Sequence, residues 1–128
     1  MRVVVGIGAR KGVAAAEVVR VISTVMQPNW RVEAIASIDR KADLVAAVAS
    51  SMGVRGVAYS ATELSTVVTP TVSDRVLRAV GSASVAEASA LLAGGSTELT
   101  VPRFGLDGVT VAVVELCLDG GQGVRAIL

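Results

Sequence analysis

The chain opens with an apolar run that ends in closely spaced glycines and passes into a helical pattern. Residues 3–7 carry only valine, glycine and isoleucine. Such a run is typical of a strand buried on both faces, as in a parallel sheet. Apolar residues then recur at helical spacing: Val18, Val21, Ile22 and Val25. The pattern therefore predicts a strand over 2–7 and a helix over 14–27.

Extended and helical patterns continue to alternate along the chain. The predicted elements are, in order, a strand at 34–38, a charged loop at 39–43, a helix closed by Gly53, a strand at 56–59, an extended loop at 67–72 and a short helix from Ser73 or Asp74 to Val80. Ser-x-x-Glu sequences at 60–63 and 84–87 are capping boxes that predict two more helix starts, the second helix reaching Ala93. This alternation indicates right-handed βαβ units and a mostly parallel sheet.

Two further strands are predicted near the end of the chain, at 99–101 and 109–114. The sequence Gly105-Leu-Asp-Gly108 between them indicates a hairpin-like connection. A closing hairpin makes the sheet mixed, so the fold class is α/β with a mixed, mostly parallel sheet. At 128 residues the chain predicts one domain over 1–128, with 119–128 as a loose tail.

Loops that follow parallel strands meet at one edge of the sheet, where ligands of such folds bind. The candidate binding residues belong to three such loops: Gly8, Ala9, Arg10, Lys11, Gly12, Asp39, Lys41, Asp43 and Ser60. Glycines allow backbone N–H groups to approach an anion, and the cations add positive charge. This rim is therefore predicted to bind a negatively charged ligand.

Two other interpretations of these loops stay open. The spacing Gly6-x-Gly8-x-x-x-Gly12 is one residue longer than the dinucleotide fingerprint, although Asp39 ends the second strand where that fold places its ribose-binding acid. The glycines could also simply turn the chain, and the charges at 39–43 could pair with one another on the surface. A glycine loop alone does not decide among these functions.

Composition excludes several classes of function. The chain has no histidine and a single cysteine, so we expect no metal site, no cofactor and no activated nucleophile. A net charge of +1 and an aromatic content of 2% speak against nucleic-acid binding. No apolar run reaches the roughly 18 residues of a membrane span, and the first residues lead directly into a strand. We therefore expect a cytoplasmic protein.

Four segments together resemble one family. The segments are Val-Gly-Ile-Gly-Ala-Arg-Lys-Gly at 5–12, Ser-Ile-Asp-Arg-Lys-Ala-Asp at 37–43, Val-Gly-Ser-Ala-Ser-Val-Ala-Glu-Ala at 80–88 and Gly-Val-Thr-Val-Ala at 108–112. Each is similar to a motif of the CobE / CbiG C-terminal domain family of cobalamin biosynthesis. They occur in the family's order. Two positions depart from its pattern: the family's frequent cysteine is Ala9, and the acid after Lys-Ala-Asp is Leu44.

The resemblance implies a three-layer α/β/α sandwich that serves corrin-ring construction. It implies either a CobE-like accessory protein that binds or carries a polycarboxylated tetrapyrrole, or a cobalt-precorrin-5A hydrolase that opens the ring lactone and releases acetaldehyde. A hydrolase would use Asp39 or Lys41 in acid/base work. A third alternative is a module that docks on another cobalamin-pathway enzyme. Ala9 counts against thiol chemistry and Leu44 weakens an acid/base role for this loop; binding is favoured over catalysis because the chain offers no histidine or activated nucleophile.

Overall fold

The computed structural model describes residues 1–66, 82–96 and 98–116. Three predictions lie outside these residues: the extended loop at 67–72, the helix ending at Val80 and the tail at 119–128. Within the described part the strands are β1 (Arg2–Ala9), β2 (Arg31–Ile38), β3 (Arg55–Tyr59), β4 (Val101–Leu106) and β5 (Val109–Glu115). The helices are α1 (Ala15–Val25), α2 (Ala42–Met52), α3 (Ala61–Ser65) and α4 (Ser82–Gly94).

The five strands form one mixed sheet in the order β3-β2-β1-β5-β4. β1, β2 and β3 are parallel to one another, whereas β5 is antiparallel to both β1 and β4. β1 lies in the middle, and its residues from Val3 to Ala9 are all buried. The predictions of an α/β fold, a first strand buried on both faces and a closing hairpin are confirmed.

Helices cover both faces of the sheet, which gives the three layers. On one face Val3, Val5 and Ile7 of β1 pack with apolar residues of α1 and α2. On the other face Val4 shares a cluster with residues of α3 and α4. The alternation follows from the strand period of two, which directs neighbouring side chains to opposite faces.

The face covered by α4 is built from small residues, so this helix lies very close to the sheet. A Cβ atom at Gly6 would lie 2.0 Å from the carbonyl oxygen of Ala86 and 2.8 Å from the backbone nitrogen of Ala90. The neighbouring strands present Ala36 and Ala112 to the same helix face. Gly6 is therefore required by helix-to-sheet packing, in addition to any role in a ligand loop.

The hairpin is tighter than the sequence predicts. β4 extends through Gly105 and Leu106, and the turn consists of Asp107 and Gly108 alone. Both turn residues have positive φ angles, 54° and 81°. This is the geometry of the two-residue turn that Asp-Gly favours, because its twist matches that of the strands. The prediction of a strand confined to 99–101 was wrong, since β4 begins at Val101.

Two other local predictions were wrong. Residues 39–43 are not a loop: a 3₁₀ turn at Asp39–Lys41 leads directly into α2 at Ala42. The sequence Ser84-x-x-Glu87 is not a capping box, because α4 runs from Ser82 and already includes Ser84. Glu87 is instead fully buried, and its carboxylate accepts a hydrogen bond from the backbone N–H of Arg103 in β4. The Ser-x-x-Glu motif thus caps a helix at 60–63, whereas at 84–87 its glutamate contributes to tertiary packing.

Candidate binding site at the strand ends

A gap opens between β1 and β2 at their carboxyl ends. Their pairing ends at Gly6 and Ala36, while β1 continues beside β5 as far as Ala9. The buried hydroxyl of Ser37 donates a hydrogen bond of 2.7 Å to the carbonyl oxygen of Ile7. This side chain supplies a polar contact at the point where the two strands separate.

A cavity of about 210 Å³ occupies this gap. Its lining comes from β1, β2, the 3₁₀ turn and α4: Gly8, Ala9, Arg10, Ser37, Ile38, Arg40, Lys41 and Val85. Three of these residues are cations and none is acidic. The floor is small or apolar and the entrance is positive, so the site suits a ligand that carries both carboxylates and apolar surface.

Arg10 is held in place by the hairpin. Its backbone N–H donates a hydrogen bond of 2.9 Å to the carbonyl oxygen of Gly108, and its methylene groups lie over the turn. The neighbouring turn residue, Asp107, pairs with Arg20 of α1 at 2.6 Å. Arg20 donates hydrogen bonds to the carboxylates of Glu17 and Asp107, and these bonds raise the pKa of its guanidinium above the ordinary value. The turn therefore ties the rim to both β1 and α1.

The structure brings only some of the predicted residues into the cavity. Gly8, Ala9, Arg10 and Lys41 line it. Four others are exposed and lie outside the part of the lining that the described residues form: Lys11, Gly12, Asp39 and Asp43. Gly12 has a φ of 89° and open space around its Cα, which fits the interpretation that this glycine turns the chain.

Ser60 lies at the end of β3, where it caps α3. Its hydroxyl accepts a hydrogen bond of 3.0 Å from the backbone N–H of Glu63, whose carboxylate accepts one of 2.8 Å from the N–H of Ser60. This confirms the predicted capping box at 60–63. Ser60 is not part of the cavity lining, and the prediction that it contacts a ligand stays a prediction.

Four lining residues were missing from the sequence-based candidates: Ser37, Ile38, Arg40 and Val85. Arg40 stood inside the predicted charged loop, and Ser37 is the single hydroxyl residue in β2. Either could have been included on those signals. Val85 could not, because its place beside β1 and β2 depends on how α4 packs across the sheet.

The carboxyl end of β3 carries one buried polar group without a partner. Tyr59 is 7% exposed, and its hydroxyl has no hydrogen-bond partner among the described residues. Burial, together with the nearby carboxylate of Glu63, raises the pKa of Tyr59 to about 12. The phenol therefore stays protonated at neutral pH and is available as a hydrogen-bond donor.

Within the described residues no group of three or more Cys, Asp or Glu side chains is placed to hold a metal ion. The same part of the chain contains no helix that is long and apolar enough to cross a membrane.

A family model described as "Cobalamin synthesis G C-terminus" matches residues 3–114. The chain belongs to this family. Homology to cobalamin biosynthesis proteins supports a role in vitamin B12 biosynthesis, and the resemblance seen in the four sequence motifs is confirmed. A search of curated protein sequences finds no significant match.

Solved structures of cobalamin biosynthesis proteins share this fold. CobE, a protein from the cobalamin biosynthetic pathway, superposes with a TM-score of 0.67 at 25% identity, over 87% of this chain and 90% of CobE. Cobalamin biosynthesis protein chiG from Agrobacterium tumefaciens str. C58 gives 0.63 at 29% identity, over 88% and 97% of the two chains. A homologue of cobalamin biosynthesis protein G from Sulfolobus solfataricus gives 0.70 at 25% identity, over 91% of this chain but 37% of that one.

Proposed function

We propose that this protein binds a polycarboxylated tetrapyrrole intermediate of cobalamin biosynthesis at the strand-end cavity, as an accessory or carrier protein of the cytoplasm. The observation that carries the proposal is the convergence of Arg10, Arg40 and Lys41 on one cavity, which no acidic side chain of the described residues lines. Corrin precursors bear acetate and propionate carboxylates around an apolar ring. A guanidinium can hold a carboxylate with two parallel hydrogen bonds, and an ammonium acts as a point charge.

The size of the cavity limits how the ligand can bind. Pockets that enclose drug-sized molecules have volumes of about 300–1,000 Å³. The strand-end cavity measures about 210 Å³. It is too small for a whole macrocycle, so we expect it to take one edge of the ring with its acidic side chains. The rest of the ring would lie over the rim, where Arg10 and Arg40 are exposed.

The contribution of each cation is modest. An exposed ion pair is worth at most about 1 kcal/mol, which is roughly a fivefold change in affinity. Affinity must therefore come from several cations together with apolar contact to Ile38 and Val85. Arg10→Ala and Arg40→Ala should each weaken binding about fivefold, and the double variant by roughly the product of the two effects.

Titration with hydrogenobyrinic acid, followed by its visible spectrum, tests this proposal. Arg31→Ala is the matched control, because Arg31 is also exposed but lies at the opposite end of β2. The control should bind like the wild type. Unchanged spectra at high protein concentration would overturn the proposal, and equal weakening by Arg31→Ala would show that binding depends on net charge rather than on this cavity.

The alternative is a hydrolase that acts on cobalt-precorrin-5A. It is favoured by the position of Lys41, which lines the cavity and could move a proton there. Asp39, the other residue expected to do acid/base work in a hydrolase, is exposed outside the lining. Release of acetaldehyde from cobalt-precorrin-5A by the purified chain, and its loss in Lys41→Ala, would decide for the enzyme.

Homology to cobalamin biosynthesis proteins supports a partner from the same pathway. We propose that a second protein of the cobalamin pathway contacts this chain during transfer of the ligand. Co-purification from a cobalamin-producing extract tests this, and mass analysis of any coloured ligand carried along would identify the intermediate.

A further inference from the structure

Tyr59 ends β3 in apolar surroundings. It belongs to a cluster with Ile38, Leu64 and Val85, on the sheet face that α3 and α4 cover. Its hydroxyl oxygen is inaccessible to solvent and has no hydrogen-bond partner among the described residues. A buried hydroxyl normally finds a partner, because losing its bonds to water without replacing them destabilises the folded state.

The position of Tyr59 links it to the strand-end cavity. Tyr59 pairs directly with Ile38 in the β2–β3 ladder, and paired residues of parallel strands lie on the same face of the sheet. Ile38 and Val85, which share the apolar cluster with Tyr59, also line the cavity. The phenol thus lies one strand beyond the cavity wall, at the same end of the sheet.

We propose that the Tyr59 hydroxyl is a ligand-binding group, which donates a hydrogen bond to an oxygen of the bound tetrapyrrole and so extends the site from the β1–β2 gap to the end of β3. This inference rests on the proposed function. It explains why a polar atom is kept unpaired in an apolar cluster: the partner arrives with the ligand, after a small displacement of the wall formed by Ile38 and Val85.

The neighbouring carboxylate specifies the chemical class of the acceptor. Glu63 is fixed by its hydrogen bond to the N–H of Ser60, and its negative charge acts on the phenol. A second carboxylate at the phenol would be repelled by Glu63. The acceptor is therefore an uncharged carbonyl oxygen, such as that of a lactone, ester or amide, while the acidic side chains of the ligand face the cations of the rim.

Tyr59→Phe tests the inference through two measurements, stability without ligand and affinity for an amidated form of hydrogenobyrinic acid, whose amide carbonyls supply the uncharged acceptor that the free acid lacks. The substitution removes only the hydroxyl. If that group is unpaired in the free protein, the urea midpoint should rise, because a destabilising buried polar atom has been removed. If it binds the ligand, the dissociation constant should increase roughly three- to tenfold.

A lower urea midpoint for Tyr59→Phe would overturn the inference, because it would show that the hydroxyl already has a partner, such as a buried water. Affinity equal to that of the wild type would overturn it too, while leaving the proposed function intact. Absence of binding by the wild type itself would overturn both.

Glu63→Gln tests the class of the acceptor. Glutamine also completes a capping box, so α3 should be retained. With an uncharged acceptor the affinity should stay within about twofold of the wild type, because neutralising Glu63 removes no repulsion. Several-fold tighter binding would show that a carboxylate approaches the phenol, and the assignment of an uncharged oxygen would then be wrong.

Discussion

Replacing Gly6 by alanine is the most demanding test of this structure. Gly6 lies near the middle of β1, directly beneath α4. The added Cβ would lie 2.0 Å from the carbonyl oxygen of Ala86, whereas ordinary contact begins at 3.4 Å. The atom nearest to the added Cβ, the Ala86 carbonyl oxygen, belongs to the helix backbone, so no side-chain rotation relieves the clash. The helix would have to move away from the sheet by about 1.4 Å.

Such a displacement affects the whole packing layer. Ala86, Ala90 and Leu91 of α4 are buried with Ala112 and Val114 of β5. Overpacking costs about 1–3 kcal/mol, and a gap on the order of 1 Å also forfeits part of the dispersion energy along the helix. We therefore expect Gly6→Ala to lower the free energy of unfolding by about 3–5 kcal/mol, a large fraction of the roughly 5–15 kcal/mol typical of a domain.

Equilibrium urea unfolding measures this loss, with Gly105→Ala as the matched control. Gly105 is also a strand glycine, but a Cβ there would have no neighbour closer than 3.8 Å. The control should stay within about 0.5 kcal/mol of the wild type. A loss of less than about 1 kcal/mol for Gly6→Ala would refute the close approach of α4 to β1.

Two further predictions concern single polar groups. Ser37→Ala removes the buried hydrogen bond to the carbonyl oxygen of Ile7. It should lower the free energy of unfolding, measured in urea, by about 1–2 kcal/mol. An effect no larger than that of Ser51→Ala, at an exposed position, would contradict this. Burial and, to a smaller extent, the charge of Glu63 raise the pKa of Tyr59 from 10.0 to about 12 in the folded protein. Between these two pH values the folded protein keeps the phenol proton, whereas the unfolded chain loses it. Stability should therefore fall by about 2 kcal/mol as the pH rises between these two values. Tyr59→Phe should lack this component, and an equal alkaline loss of stability in both proteins would rule it out.

Much of the fold could be predicted because its signals are local. The unbroken apolar run of β1 indicates burial on both faces, and Gly53 marks the end of α2 with a φ of 70°. The capping box at 60–63 also depends only on neighbouring residues. Predictions were less accurate where a local motif has two uses. Glu87 follows a serine at capping-box spacing, yet its carboxylate serves the backbone of β4.

The sequence predicted where the candidate site lies, but not every residue that lines it. Strand order and direction place the ends of β1 and β2 together, so Arg10 and Lys41 could be assigned to one rim. The contribution of Asp39 could not be judged, because residues 39–41 form a 3₁₀ turn that leaves its side chain exposed. Val85 and Tyr59 reach the same region only through the packing of α4 and β3.

The amino-acid pattern alone was enough to indicate the α/β class, the burial of the first strand on both faces, the cationic rim and, through four ordered motifs, the family. Each of these depends on neighbouring residues or on the order of segments along the chain. Only the tertiary structure decided which rim residues face the cavity, why Gly6 must lack a side chain and that the Tyr59 hydroxyl is buried with no hydrogen-bond partner in the described part of the chain. Those properties arise from contacts between segments distant in sequence, and no local periodicity encodes such contacts.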